Sequence, residues 1–114
     1  MNGHTGASVQ ALGEAYFLDL LGDAYTGLGC YGEAIVALAE AADAFREHGA
    51  WAAYAACVLK LGQSHLALAH RAAAAGYLEE CLTLFRELEL PDQAEQARHA
   101  LDSCRSRTTQ SSAA

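Results

Sequence analysis

The chain has 114 residues, of which 53% are hydrophobic, and a formal net charge of −7. This length fits one domain with enough apolar side chains for a core. An acidic surface without a stripe of Lys and Arg repels a phosphate backbone, which disfavours direct binding of nucleic acid. The stretch from Glu14 to Glu47 contains seven acidic residues and a single basic residue, Arg46. This acidic stretch is either a solvated face that keeps the domain soluble or a surface that attracts a basic partner.

The two ends of the chain differ in composition from its middle. Residues 1–8 are glycine-containing and polar, and residues 105–114 are rich in Ser and Thr without an apolar anchor. We therefore expect both ends to be disordered, around a helical repeat domain of residues 9–104.

The cellular compartment is indicated by cysteines and hydropathy. The four cysteines contain no C-x-x-C pair, so we expect free thiols rather than a zinc site or a disulfide framework. The N-terminus lacks the basic-then-apolar build of a signal peptide, and polar residues interrupt every run long enough to span a bilayer. These features predict a cytoplasmic protein without a membrane partner.

Helices are expected throughout, because Ala and Leu dominate and Pro91 is the single proline. In chain order, the apolar spacing predicts helices over about 9–26, 31–48, 50–69, 71–88 and 91–104. The first two are separated by Gly27-Leu28-Gly29, and Gly49 ends the second in the left-handed position after a helix. Pro91 opens the last helix in its first turn, where proline is favoured.

A repeat with an offset of forty residues joins these helices into pairs. Leu21-Gly22 aligns with Leu61-Gly62, and Phe45-Arg46-Glu47 aligns with Phe85-Arg86-Glu87. The last helix matches the start of a third copy that is not completed. A glycine in mid-helix costs about 1 kcal/mol relative to Ala. Since both copies carry it at the same place, we predict that Gly22 and Gly62 allow two helices to approach closely.

The repeat resembles the tetratricopeptide repeat family. The family pattern has a Leu-Gly pair, an aromatic residue, a small residue, a large apolar residue and a further small residue. The first copy matches this pattern with Leu21-Gly22, Tyr25, Ala34, Leu38 and Ala41. The second copy matches it with Leu61-Gly62, His65, Ala74, Leu78 and Cys81. The departures are His65, Cys81 and a spacing of forty instead of the family's thirty-four. The resemblance implies an all-α solenoid of about five antiparallel helices, made of two helix pairs and a final helix.

A narrower resemblance concerns the stretches Leu21-Gly-Asp-Ala-Tyr and Leu78-Glu-Glu-Cys-Leu-Thr-Leu-Phe-Arg-Glu-Leu. They are similar to the C-terminal repeat arrays of large actinobacterial SARP-type activators and of their relatives with a nucleotide-binding domain. The six arginines against Lys60 alone are typical of high-GC genomes. This resemblance implies a module that mediates protein contacts or regulates the DNA-binding and nucleotide-binding parts of such a regulator.

A partner-binding surface is implied by the tetratricopeptide resemblance. In solenoids the first helix of each pair lines a concave surface, which here presents Tyr16, Asp19, Asp23, Thr26, Leu59, Lys60, Gln63, Leu66, Gln96 and His99. This surface is either a groove for a peptide or helix, or an ordinary exposed face that packs on a neighbouring domain. Asp19 and Asp23 stand where some family members place Asn and Lys to bind a carboxylate, so a basic or mixed ligand is preferred.

No pattern in the sequence predicts catalysis, a metal or a cofactor. Gly27-Leu28-Gly29 has no strand before it and no Lys-Ser/Thr after it, unlike a phosphate-binding loop. His65 and His70 are five residues apart, which predicts different sides of a helix, whereas a metal pair favours three or four. We therefore expect a protein that is not an enzyme and needs no cofactor.

Protein or peptide interaction is the leading functional interpretation, and two alternatives stay open. In the first alternative, an apolar flank of the incomplete third copy, at Ala94, Ala97 and Leu101, pairs chains into a homo-oligomer. In the second, the groove and the aromatic residues bind a small molecule.

Overall fold

A computed structural model describes the backbone of residues 2–113 and the side chains of residues 9–106. Over this part of the chain five helices and no strand are present: α1 (Asn2–Gly27), α2 (Tyr31–Glu47), α3 (Trp51–Ala67), α4 (Arg71–Glu87) and α5 (Pro91–Ala113). Each helix packs on the next one along the chain. The all-α repeat architecture is confirmed.

The outermost helices are longer than predicted. α1 begins at Asn2 rather than near Val9, and α5 ends at Ala113 rather than near Cys104. At the start of this extension, the Arg105 guanidinium reaches the Glu79 carboxylate of α4 at 3.1 Å. The side chains of residues 1–8 and 107–114 lie outside the described residues, and the disorder expected for the two ends stays a prediction.

The four turns between the helices have one geometry. α2, α3 and α4 are 17 residues long, and the left-handed residue of each turn recurs every twenty positions, at Gly29 (φ 76°), Gly49 (φ 68°), Ala69 (φ 62°) and Glu89 (φ 58°). The residue after it donates its N–H to a carbonyl five residues earlier, as from Ala50 to Phe45 at 2.9 Å. This is the Schellman ending of a helix. The prediction for Gly49 is confirmed.

Both mid-helix glycines mark close contacts between paired helices. A Cβ on Gly22 would lie 2.6 Å from Leu38 Cγ, and a Cβ on Gly62 would lie 2.7 Å from Leu78 Cγ. Real Cβ atoms do not approach a neighbour that closely, so only glycine fits. The predicted role of both glycines is confirmed, and it is the same in both copies.

The core runs along the helix pairs and includes three of the four cysteines. Phe45, Phe85, Leu38 and Leu78 are at most 1% exposed. Cys57, Cys81 and Cys104 carry thiols that are buried among them. Burial raises the pKa of the Cys57 and Cys81 thiols to about 12. These thiols therefore stay protonated and pack as small apolar side chains.

The final helix is a polar end to the stack, contrary to the apolar flank expected there. Ala94, Ala97 and Leu101 are only 9%, 0% and 3% exposed, because the apolar side of α5 faces α4. The adjoining side is charged, and the Arg98 guanidinium pairs there with Glu95 and with Asp102. The predicted flank is therefore wrong, and it gives no support to pairing of chains through the third copy.

Candidate partner-binding surface

The predicted partner-binding residues lie on α1, α3 and α5, the first helix of each copy. These helices are also joined directly to one another, since α3 contacts α5 and Lys60 of α3 reaches two acids of α1. α2 and α4 pack behind them. We call the side of α1, α3 and α5 that carries the ten predicted residues the inner surface.

An ion cluster joins α1 and α3 on the inner surface. The Lys60 ammonium lies 2.8 Å from Asp19 Oδ1 and 3.0 Å from Asp23 Oδ1. Burial alone would lower the pKa of Lys60, but hydrogen bonds and attraction from both carboxylates outweigh it and hold the pKa above the ordinary value. Two carboxylates against one ammonium leave the cluster with a net charge of −1. The three residues were predicted as neighbours on one surface, but their mutual pairing was not.

A cavity of about 340 Å³ opens beside this cluster. It is lined by Asp23, Thr26, Tyr31, Lys60, Gln63, Ser64 and Ala67. Four of these residues were predicted, whereas Tyr31, Ser64 and Ala67 were missed. Tyr31 opens α2, and its position directly after the first turn is the signal that would have placed it near Thr26. The lining offers carboxylate, hydroxyl, amide and ammonium groups to a polar ligand.

The other predicted residues have different environments on the inner surface. Tyr16 is 57% exposed, and its ring packs edge-on against Phe45 with centroids 4.8 Å apart. Leu59 is only 7% exposed, so it supports the surface from beneath and offers little area to a partner. Leu66 is half-buried, and Gln96 and His99 are exposed on α5. Among the described side chains, no hydrogen bond joins Gln96 or His99 to the ion cluster.

Two histidines come together at the end of α3, although their spacing predicted different sides of a helix. α3 ends at Ala67, and the turn brings His70 back until the two Nδ1 atoms are 3.1 Å apart. The His65 ring also stacks on Tyr77, with centroids 5.4 Å apart and planes at 16°. Burial, and then the nearby His70, lower the pKa of His65. His65 thus stands in an aromatic contact, consistent with the predicted replacement of an aromatic residue.

The aromatic pair at the start of α3 divides between core and surface. Tyr54 is buried, while Trp51 packs edge-on against it and is 45% exposed. The Tyr54 hydroxyl donates a hydrogen bond to Glu80 of α4. Burial, together with this carboxylate, raises the pKa of Tyr54 to about 12. Tyr54 therefore remains a neutral donor that ties α3 to α4.

No described group of three or more His, Cys, Asp or Glu side chains is arranged to hold a metal ion. None of the helices, over the residues described, has both the length and the apolar character needed to cross a bilayer. Comparison of the chain with known protein families and with curated proteins found no match.

Proposed function

We propose that this chain is a tetratricopeptide-type module that binds a protein or peptide through its inner surface. The observation that carries the proposal is the Lys60 cluster beside the polar cavity. The cluster and cavity present both signs of charge and several hydrogen-bonding groups at one place. Binding surfaces of this kind recognise an extended peptide or a helix by a few polar contacts on a rigid helical support.

The ligand that suits the inner surface carries Lys or Arg residues. The cluster keeps one carboxylate in excess, and Asp23 has half of its side chain exposed. A basic side chain of the ligand would pair with this excess charge and enter the cavity beside Gln63. Tyr16 supplies an exposed apolar area on the same helix.

The wider role that we propose is that of a regulatory repeat region of a bacterial transcriptional regulator, in the cytoplasm. Its support is the similarity of the Leu21 and Leu78 stretches to the repeat arrays of SARP-type activators. A DNA-binding or nucleotide-binding region encoded next to this chain, whose activity changes when the inner surface is mutated, would bear this out. If the adjacent region is of neither kind, the proposed role in a transcriptional regulator is wrong.

A peptide library tests the binding function. Fluorescence-labelled basic, acidic and mixed peptides would be titrated with the chain and with an Asp23→Lys variant. Asp43→Lys is the matched control, because Asp43 is an exposed acid on α2 that pairs only with Arg46 of its own helix among the described contacts. We expect saturable binding of basic or mixed peptides, weakened about tenfold by Asp23→Lys and little changed by the control. Equal losses in both variants would show general charge attraction instead and remove the inner surface as the binding region.

A further inference from the structure

The outer side of α1 and the adjoining part of α2 expose large apolar side chains. Phe17 and Leu20 of α1 are 64% and 66% exposed, and Val36 of α2 is 61% exposed. Leu21 is half-buried, lies one helical turn from Phe17 and lines a cavity with Val36. We call Phe17, Leu20, Leu21 and Val36 the α1 outer face. Apolar patches of this kind usually mark a contact with another molecule.

The equivalent positions in the other copies of the repeat differ from Phe17 in their exposure. The counterparts of Phe17, at offsets of forty and eighty residues, are Cys57 and Ala97, and both are 0% exposed. α3 packs against α2, and α5 packs against α4; Cys57 also lies close to Asp19 of α1. In the contact between α4 and α5, Cys104 Sγ donates to the Arg71 carbonyl at 3.4 Å. In both later copies, therefore, this position is covered by the helices that precede it, whereas in α1 it is exposed.

A cavity of about 280 Å³ continues the α1 outer face between α1 and α2. At the matching positions of the second copy, the Tyr77 ring stacks on His65. The first copy has Ala37 in place of Tyr77 and Tyr25 in place of His65, which leaves room for a large side chain from outside. Glu33 and Glu40 stand at the rim of this cavity.

A second copy of this chain is a poor occupant of the face. A symmetric contact would bring the rim acids of two copies together, and like charges repel at short range. A head-to-tail contact would place the α1 outer face on the charged side of α5. Arg98 and its carboxylate partners would then lose solvent without gaining new partners.

We propose that the α1 outer face binds an amphipathic helix of another protein, in the place that α2 takes on α3 and α4 takes on α5. This helix carries small residues opposite Phe17, a bulky apolar residue that enters the cavity beside Ala37, and Lys or Arg residues that meet Glu33 and Glu40. The face is separate from the ion cluster of the inner surface, so this inference holds or fails independently of the proposed function.

A synthetic helical peptide of Leu, Ala and Lys, with one Tyr in its apolar stripe, tests the inference by fluorescence anisotropy. We expect saturable binding to the full chain. Phe17→Asp should raise Kd at least about tenfold, although it adds a charge that attracts the basic peptide. Ala37→Tyr puts a large ring into the cavity, at the position that Tyr77 has in the second copy, and should raise Kd without a change of charge.

Three controls identify the contact. Leu88→Asp makes an apolar-to-acid change in the last turn, away from the α1 outer face, and should leave peptide binding unchanged. A peptide of the same composition with its Leu residues scattered, or with Glu for Lys, should bind much more weakly. Circular dichroism checks that each variant is folded.

The inference is overturned if the scattered peptide binds as well as the amphipathic one, or if Phe17→Asp and Ala37→Tyr both leave Kd unchanged. It is also overturned if Asp23→Lys abolishes the binding, which would place the peptide on the inner surface. Sedimentation that shows a dimer lost on Phe17→Asp would assign the face to a second copy instead.

Discussion

Gly62 of α3 lies so close to Leu78 of α4 that a Cβ on the glycine would be 2.7 Å from the leucine Cγ. Leu78 is fully buried, and close packing of the core resists its displacement. Gly62→Ala should therefore lower the free energy of unfolding by about 1–3 kcal/mol, although Ala is the better helix former. Urea denaturation followed by circular dichroism measures the change.

Gly76→Ala is the matched control for this substitution. Gly76 is an exposed residue inside α4, and a Cβ there would meet nothing within 4 Å. The same change should then raise the free energy of unfolding by about 0.5–1 kcal/mol. Equal effects of the two substitutions would show that no close contact exists at Gly62.

Two turns contain a non-glycine residue in the left-handed conformation, Ala69 at φ 62° and Glu89 at φ 58°. This conformation brings the Cβ of an L-residue too close to the following carbonyl. Ala69→Gly removes the strain and should raise the free energy of unfolding by about 0.5–1 kcal/mol after the greater freedom of glycine in the unfolded chain is subtracted. Thermal denaturation measures the effect.

The same exchange at Ala73, an exposed position inside α4, supplies the comparison for Ala69→Gly. Ala73→Gly should destabilise by about 1 kcal/mol, because glycine is a poor helix residue. If both exchanges destabilise alike, Ala69 does not occupy the left-handed position.

Stability should depend on pH through His65. Burial and His70 lower its pKa below the ordinary 6.5, so the folded chain takes up a proton less readily than the unfolded chain. Protonation therefore favours unfolding: the stabilisation is complete above pH 6.5 and is lost as the pH falls through the pKa of folded His65. Urea unfolding at a series of pH values measures this slope.

His65→Phe should flatten that slope, since it keeps an aromatic ring against Tyr77 and removes the titrating group. His48→Gln is the control, because the His48 ring contacts the Ala44 carbonyl of its own helix at 2.9 Å. A slope that persists in His65→Phe and disappears in His48→Gln would refute the assignment.

Lys60 and Asp19 should show a modest energetic coupling. Their side chains are 32% and 19% exposed, so solvent screens the pair in part. We expect a double-mutant cycle with Lys60→Met and Asp19→Asn to give about 0.5–1 kcal/mol. Lys60→Met alone should cost more than the double change, because it leaves Asp19 and Asp23 facing each other. A coupling of zero at low salt would mean that the ion pair does not form in solution.

The constant offset of forty residues was enough to predict the paired helices and the shared role of Gly22 and Gly62. The turns were predicted less well, because Ala69 and Glu89 take a conformation that their side chains disfavour. They adopt it because α3 and α4 each end with the same Schellman hydrogen bond, from His70 to His65 and from Leu90 to Phe85. The conformation of these two residues is set by the packing of the helices around each turn, which the local sequence does not indicate.

The candidate surface was predicted in outline, but its details depend on contacts between distant residues. Helical spacing placed Asp19, Asp23 and Lys60 on one side of the molecule, whereas their pairing depends on how α1 and α3 lie side by side. Leu59 was expected to be exposed, but it is covered in the middle of the stack. The contact of His65 with His70 was missed because it requires the turn after Ala67, not a continued helix.

A methyl-selective NOE experiment tests most directly whether the two copies of the helix pair are stacked in the same way. We expect a strong NOE between the Gly22 α-protons and a Leu38 methyl, and an equally strong one between the Gly62 α-protons and a Leu78 methyl. If one cross-peak is present and the other is absent, the two copies do not share one packing arrangement, and the repeat does not explain the fold.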